Sequence, residues 1–314
     1  MEAIQAAHEY SWEAQQRKNM TTETPSVETI VAEYRERKLN RRDFLARLIG
    51  ATGSMAAAHL MLERSGLAAT LLSDSESRDV RVTSSTIECA TTSGNPLKAY
   101  LSVPDGAGRF PAVVVIHENR GLNEHTRDVA RRFAGEGFVA LAPDLLSRVG
   151  GTSSMKTPDE ARAAIMAIAP ADALSDLKAS LSYLDSHNRV NRGQLGSVGF
   201  CWGGARSFLL ATADARLRGA VVFYGSTPPS EQLANIHCPV LGLYGATDER
   251  ITSKVPETVA AMQALNKPFE HKIYAGAGHA FFNDTGPNFN AEAAADAWKM
   301  TLAFLRENLP KDAV

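Results

Sequence analysis

The chain has 314 residues, with 33 Lys and Arg against 35 Asp and Glu, and three cysteines. This near-neutral balance, without a long basic run, argues against a nucleic-acid-binding surface. Three cysteines do not indicate a disulfide framework, and no segment has the unbroken apolar length of a membrane span. The scattered histidines form no metal-ligand pattern, so neither a metal nor a cofactor is predicted.

Residues 1–79 are predicted to form an N-terminal helical leader or arm. The sequence NRRDFL at 40–45 is similar to a twin-arginine export motif, and a weakly apolar stretch follows it. However, a charged, helix-forming segment at 27–38 makes the region before the arginines unusually long for a leader. The alternative is an amphipathic arm that packs on the domain or on a second subunit through Phe44, Leu45, Leu48 and Ile49. Retention in the cytoplasm is favoured, with periplasmic export as the alternative, and a homodimer stays open.

Residues 80–314 predict one α/β domain, because strand and helix signals alternate there as in βαβ units. The apolar run at 111–116 is typical of a central parallel strand covered on both faces. Leucines three or four apart over 172–186 mark one face of a helix. Further strands are predicted at 138–143, 220–225 and 240–245, and further helices at 124–135, 205–213, 256–265 and 292–305. Residues 150–158 are rich in Gly and Ser and are the best candidate for a flexible loop.

The sequence GFCWG at 199–203 has the pattern of a nucleophile elbow, with Cys201 in the position that serine usually occupies. The flanking glycines let a sharp strand-to-helix turn close around a strained nucleophile. The helix that follows directs its N-terminal amides and the positive end of its dipole at the sulfur, which favours the thiolate. The alternative is a buried structural cysteine at a tight strand–helix contact.

Two further residues follow the elbow in the chain order of an α/β-hydrolase triad: Asp248 after the strand at 240–245, then His279 after a later strand and a glycine-rich loop. His279 would take or hold the thiol proton, and Asp248 would fix the imidazole tautomer. Taken singly, Asp248 is also a typical turn or helix N-cap residue, and His279 a typical surface-loop residue. Together with Cys201 they predict a catalytic triad on the α/β-hydrolase fold, with a mostly parallel central sheet and helices on both faces.

The same fold predicts an oxyanion hole made of two backbone amides. One would come from Trp202, the residue after the nucleophile. The other would come from the loop at 117–122, which follows the strand at 111–116. Both would face the oxygen on which charge develops when the thiolate attacks a carbonyl.

Four motifs in order carry a resemblance to a known family: HENRGL at 117–122, GFCWGG at 199–204, GATD at 245–248 and AGHAF at 277–281. From about residue 80 onward the chain resembles the dienelactone hydrolases, or carboxymethylenebutenolidases, in particular the bacterial subgroup with an Arg-Arg leader. The resemblance implies a triad of Cys201, His279 and Asp248. It also implies that the Asn119 amide belongs to the oxyanion hole.

The resemblance further implies a catalytic role for Glu118. In the family, the matching carboxylate contacts the thiol of the resting enzyme and swings on substrate binding to help generate the thiolate. A thiol that stays protonated until substrate arrives is less readily oxidised. The alternative is a solvated loop carboxylate or a partner of Arg120.

The match is incomplete where substrate binds. Family members that act on dienelactone hold its carboxylate with arginines, one of them shortly after the catalytic histidine, whereas residues 281–286 contain Asp284 and no arginine. Arg120 is the predicted replacement, because it lies beside the proposed oxyanion amide and suits a bidentate contact with a carboxylate. Arg162 and Arg206 are the alternatives. The sequence therefore predicts hydrolysis of a small-molecule ester or lactone, without indicating dienelactone itself.

Other functions stay open. A general carboxylesterase or thioesterase would use the same mechanism. A thiol redox protein would normally need a resolving cysteine, and neither Cys89 nor Cys238 is obviously placed for that role. A non-catalytic binder on a hydrolase fold would have no need for three intact triad residues.

Overall fold

The computed structural model describes residues 26–35, 39, 41–52, 82–92 and 94–310. The chain divides into two compact units, residues 1–76 and residues 77–314. None of the helices in the described ranges is long and apolar enough to cross a bilayer.

The described part of the first unit consists of two helices, α1 (Val27–Arg35) and α2 (Arg41–Thr52). Ile30 of α1 is buried against Phe44 and Leu48 of α2, so these two residues pack within the unit itself. The arginine pair of the twin-arginine-like motif opens α2. Residues 53–62 of the weakly apolar stretch lie outside the described residues.

The second unit is built on one eight-stranded sheet. Its strands are β1 (Val82–Cys89), β2 (Leu97–Pro104), β3 (Phe110–Ile116), β4 (Val139–Pro143), β5 (Val190–Phe200), β6 (Leu217–Phe223), β7 (Val240–Gly245) and β8 (Phe269–Tyr274). The order across the sheet is β1-β2-β4-β3-β5-β6-β7-β8. The pairs β1–β2 and β2–β4 are antiparallel and all others are parallel, which confirms the predicted mostly parallel sheet.

Helices cover both faces of this sheet. They are α3 (Glu124–Gly135), α4 (Pro158–Met166), α5 (Pro170–Ser186), α6 (Trp202–Ala211), α7 (Glu249–Thr252), α8 (Val255–Ala264) and α9 (Ala291–Asn308). Successive residues of a strand point to opposite faces. Thus Val113 and Val115 join the core that includes residues of α3 and α9, while Val114 joins the core that includes residues of α5 and α6. Because both faces are covered, β3 is apolar at consecutive positions.

Helix α4 was not predicted, although its start carries a recognisable signal. Thr157 caps the helix by accepting a hydrogen bond from the Glu160 amide at 3.1 Å, and Pro158 opens the first turn. Glu160 accepts a hydrogen bond in return from the Lys156 amide at 2.7 Å. This reciprocal pattern closely resembles a capping box. The helix begins at the last residue of the segment predicted as a flexible loop, 150–158, and no element was predicted for the residues after it.

The same segment is held to the end of β4 by a buried carboxylate. Asp144 accepts hydrogen bonds from both the amide and the hydroxyl of Thr152, each at 2.7 Å. The Thr152 hydroxyl oxygen in turn accepts from the Leu122 amide at 2.8 Å. The loop after β4 is therefore tied to the loop after β3, and both lie at the carboxyl edge of the parallel strands, where α/β folds place their sites.

Candidate active site

The turn between β5 and α6 has the strained geometry of a nucleophile elbow. Cys201 has φ 56° and ψ −115°, a backbone region that non-glycine residues rarely adopt. Its amide donates to the Phe223 carbonyl at 3.0 Å, which anchors the turn to β6. A Cβ on Gly199 would overlap the carbonyl of Gly203, so the turn closes only because glycine stands at this position.

The structure brings the three predicted triad residues together. Asp248 follows β7 and His279 follows β8, and His279 lies between Asp248 and the Cys201 sulfur. His279 Nδ1 lies 2.5 Å from Asp248 Oδ2, and its Nε2 lies 2.9 Å from Cys201 Sγ. Because a carboxylate only accepts hydrogen bonds, Nδ1 carries the proton and Nε2 is left to accept the proton of the thiol. The arrangement has the connectivity that acyl transfer requires.

The surroundings of the Cys201 sulfur favour the thiol over the thiolate. Burial raises the pKa of Cys201 to about 11, and the nearby charge of Glu118 adds to the shift. The Trp202 amide and the positive charge of Arg250 act in the opposite direction, as does the helix N-terminus expected from the sequence. At neutral pH the protonated form therefore predominates.

This raised pKa predicts slow alkylation of the resting protein. With iodoacetamide and no substrate, the modification rate is expected to rise about tenfold for each pH unit from neutral pH to about pH 10, because the thiolate is the reacting species. Mass spectrometry of quenched samples measures the rate, with Cys201→Ala as the control, since Cys89 and Cys238 are buried. A rate that levels off near neutral pH would show instead a preformed thiolate.

Glu118 is held by two neutral donors. The Tyr224 hydroxyl donates to its Oε1 at 3.1 Å, and the Asn283 side-chain amide donates to its Oε2 at 2.9 Å. Its hydrogen-bond partners are therefore neither Arg120 nor the thiol. The carboxylate acts on Cys201 through its charge.

Sequence reasoning did not single out Tyr224 or Asn283. Tyr224 directly follows β6, with φ 39°, and its ring packs edge-to-face on His279 at 5.1 Å between centroids. Asn283 accepts from the Thr285 amide at 3.0 Å, which fixes which side of its amide faces Glu118. A polar residue at the carboxyl end of a buried strand was the available signal for Tyr224.

The predicted substrate-binding arginines are placed differently from one another. Arg120 is exposed on the loop after β3, and Arg162 is exposed on α4. The guanidinium of Arg206 lies 4.7 Å from the ring centroid of Trp202, so Arg206 supports that indole. Asp284, the carboxylate in the stretch 281–286, forms an ion pair with Arg132 at 2.6 Å. This ion pair accounts for its presence there without a role in substrate binding.

The two loops predicted to form the oxyanion hole are in contact. Ile116 at the end of β3 pairs with Gly199 of β5. A Cβ on Gly203 would overlap the carbonyl of His117, so the first turn of α6 lies directly against the β3 loop that carries Asn119. The amides of Trp202 and Asn119 thus belong to adjoining segments.

A cavity of about 250 Å³ opens beside the end of β6. Gly225, which follows Tyr224, forms part of its wall together with Thr227, Arg250 and Lys254. Arg250 is close enough for its charge to act on the Cys201 sulfur. Within the described ranges, no group of three His, Cys, Asp or Glu side chains is arranged to hold a metal.

The sheet order, the elbow and the alignment of three side chains at its carboxyl edge define an α/β-hydrolase. Residues 97–309 match the dienelactone hydrolase family, and the chain belongs to this family. A carboxymethylenebutenolidase-like protein of Saccharolobus solfataricus is 35% identical over 246 residues, covering 68% of this chain and 95% of that protein. A similarly named protein of Methylorubrum extorquens is 33% identical over 223 residues, covering 67% of this chain and 77% of that protein.

A solved structure gives the same result. The crystal structure of a dienelactone hydrolase-like protein from Klebsiella pneumoniae matches with a TM-score of 0.67 and 31% identity, over 72% of this chain and 99% of that one. The predicted α/β-hydrolase fold is confirmed, and the protein is a hydrolase.

Proposed function

We propose that this protein hydrolyses a small-molecule ester or lactone through a covalent thioester on Cys201. The observation that carries the proposal is the continuous hydrogen-bonded chain from Cys201 Sγ through His279 to Asp248, with distances of 2.9 Å and 2.5 Å. A nucleophile, a base and a group that orients the base are the three parts that acyl transfer needs.

In the acylation half, the proton of Cys201 passes to His279 Nε2 as the sulfur attacks the substrate carbonyl. The amides of Trp202 and Asn119 bind the oxyanion, and Asp248 stabilises the imidazolium. When the tetrahedral intermediate collapses, the carbon–oxygen bond of the ester breaks. The leaving alkoxide or enolate takes the proton from His279, and the acyl group stays on sulfur.

In the deacylation half, His279 removes a proton from a water molecule, and the resulting hydroxide attacks the thioester. The carbon–sulfur bond then breaks, the sulfur recovers its proton from His279, and a carboxylic acid leaves. With a lactone, both product groups remain on one molecule.

Arg120 is the proposed contact for a substrate carboxylate, because it is exposed beside Asn119.

The placement of the other cysteines supports hydrolysis over a thiol redox role. Cys89 and Cys238 are free thiols in the core on one face of the sheet, whereas Cys201 packs against the core on the other face. A resolving cysteine has to reach the oxidised sulfur to form a disulfide. Neither buried thiol is positioned to do so without displacement of the sheet between them.

The proposal is tested by mixing the purified protein with p-nitrophenyl acetate and, separately, with a small lactone. We expect a burst of nitrophenol followed by steady turnover, with an acetyl group on Cys201 in acid-quenched samples. Faster turnover of an acyl thioester than of either substrate would favour a thioesterase. Peroxide consumption without ester turnover would contradict the proposal in favour of a redox protein, and binding without turnover would favour a ligand binder.

We propose that Glu118 both keeps the thiol protonated at rest and assists acylation. Glu118→Gln removes the charge that raises the Cys201 pKa, so alkylation and peroxide inactivation of the resting protein should become faster. The burst rate with p-nitrophenyl acetate should fall, by about a hundredfold if Glu118 contributes at the lower end of what a proton-transfer group supplies. Stopped-flow absorbance measures it.

The control for this variant is Glu307→Gln, an exposed charge removal on α9. It should alter neither rate. If Glu118→Gln behaved in the same way as this control, Glu118 would be part of the scaffold only.

We further propose that residues 1–79 are an extension separate from the hydrolase domain at 80–314, with Arg41 and Arg42 giving it the pattern of the leader-bearing subgroup. Fractionation of cells that express the full chain, beside an Arg41→Lys/Arg42→Lys double variant, separates the two alternatives. Loss of export in the double variant indicates a twin-arginine leader. Equal cytoplasmic retention of both proteins indicates an arm.

A further inference from the structure

We propose that His117 is a positioning residue that orients the Asn119 amide of the oxyanion hole and packs against the segment that carries the other amide. His117 is the first residue after β3 and directly precedes Glu118, and its side chain is fully buried. The inference rests on the proposed acyl transfer, because it assigns a task in that reaction to a residue that does not touch the reacting atoms.

The ring of His117 is held at both nitrogens. Its Nε2 lies 3.3 Å from the Leu145 amide, and its Nδ1 lies 2.7 Å from the Glu118 carbonyl oxygen. An amide N–H only donates and a carbonyl only accepts, so Nε2 is bare and Nδ1 carries the proton. Burial lowers the pKa of His117, which agrees with a neutral ring.

The bond to the Glu118 carbonyl sets the direction of the next amide. The carbonyl of Glu118 and the N–H of Asn119 belong to one planar trans peptide group, in which they point in opposite directions. Drawing the carbonyl oxygen toward His117 therefore turns the Asn119 N–H away from His117. A rotation of this peptide would remove the donor from the hole without moving any side chain of the triad.

The same ring also contacts the segment that carries the second amide. His117 stacks on the Trp202 indole, with 5.9 Å between ring centroids and 8° between planes. The guanidinium of Arg206 also packs on the Trp202 ring, 4.7 Å from its centroid. One buried imidazole thus contacts both segments that supply the oxyanion donors.

Two near-isosteric variants separate the two hydrogen bonds. The Asn side-chain amide reaches about as far as Nδ1 of a histidine, and the Gln side-chain amide about as far as Nε2. His117→Asn therefore retains a donor for the Glu118 carbonyl and loses the acceptor for Leu145. His117→Gln retains that acceptor and loses the donor, and both variants lose the stacked ring equally.

We expect His117→Asn to keep kcat for p-nitrophenyl acetate within about threefold of the wild-type value. We expect His117→Gln to lower kcat at least about tenfold, with KM within about twofold of the wild-type value. Complete loss of one oxyanion donor, about a hundred- to a thousandfold, is the upper bound. Iodoacetamide alkylation of Cys201 is the second readout. It needs the thiol but no oxyanion hole, so its rate should be equal in both variants and the wild type.

Several outcomes would overturn the inference. These are equal kcat in the two variants, a greater loss in the Asn variant, or a parallel fall in alkylation that marks general distortion of the site. Wild-type protein without ester turnover would instead remove the proposed function, and this inference with it. Should either variant not fold, ¹⁵N-histidine NMR of the wild type gives an independent test: a proton on Nε2 of His117, with Nδ1 bare, contradicts the proposal.

Discussion

Cys201→Ala is expected to lower ester turnover by at least about ten-thousandfold, which leaves only the residual rate that substrate binding and the proposed oxyanion amides provide. The sulfur is the only group at the elbow that is hydrogen-bonded to His279, so no neighbouring side chain replaces it as nucleophile. Folding should be unaffected, because the turn depends on its glycines and on the Cys201 backbone amide, which alanine retains. Steady-state kinetics and thermal unfolding of the same preparation check both parts.

The matched control is Cys89→Ala, which removes a buried thiol from the core on the other face of the sheet. It is expected to lose some stability and to keep its activity. Cys201→Ser should retain little activity, because a hydroxyl needs a stronger base than this site provides. Near-wild-type turnover in Cys201→Ala would remove Cys201 from the mechanism.

Asp248→Asn is expected to lower kcat by about a thousandfold to ten-thousandfold while leaving the fold intact. The carboxylate accepts the Nδ1 proton of His279 at 2.5 Å, which leaves Nε2 free to accept from the thiol. An asparagine in this place offers an N–H to Nδ1 and favours the opposite tautomer, in which Nε2 already carries a proton. The base is then blocked without any change in position.

The control for Asp248→Asn is Glu249→Gln, which removes the adjacent, exposed carboxylate. Rates of p-nitrophenyl acetate hydrolysis across a range of pH separate the two effects. The control should follow the wild-type profile, whereas Asp248→Asn should recover part of its rate at high pH, where the thiolate forms without help from His279. An Asp248→Asn variant as active as the control would show that the Asp248 carboxylate has no part in the reaction.

The parts of the site that could be predicted are those that local sequence places at strand ends. The elbow is read from five consecutive residues, and Asp248 and His279 each follow a predicted strand and a glycine. Parallel strands bring such positions to one edge of the sheet, so their proximity follows from the fold. The bounds of α3 and β7 were also predicted to the residue, because the sequence pattern of each element is strong and its ends are well marked.

The contacts that could not be predicted depend on side-chain direction in irregular loops. Glu118 meets Tyr224 and Asn283 across 106 and 165 positions of sequence, and no periodicity specifies which way a loop residue faces. Asn283 and Asp284 are neighbours, yet one turns toward Glu118 and the other toward Arg132. The role of Arg120 stays a prediction, because nothing in its sequence neighbourhood fixes the direction of its side chain.

The two hydrogen bonds that hold Glu118 limit the fraction of molecules in which its carboxylate contacts the Cys201 thiol. To reach the sulfur, the carboxylate must release both the Tyr224 hydroxyl and the Asn283 amide. Hydrogen bonds to a charged group are worth about 1.5 to 3 kcal/mol each, so the released conformer is populated in fewer than about one molecule in a hundred. These two donors therefore hold Glu118 away from the sulfur. The rate at which both hydrogen bonds break sets an upper limit on the rate of any step that needs Glu118 at the sulfur.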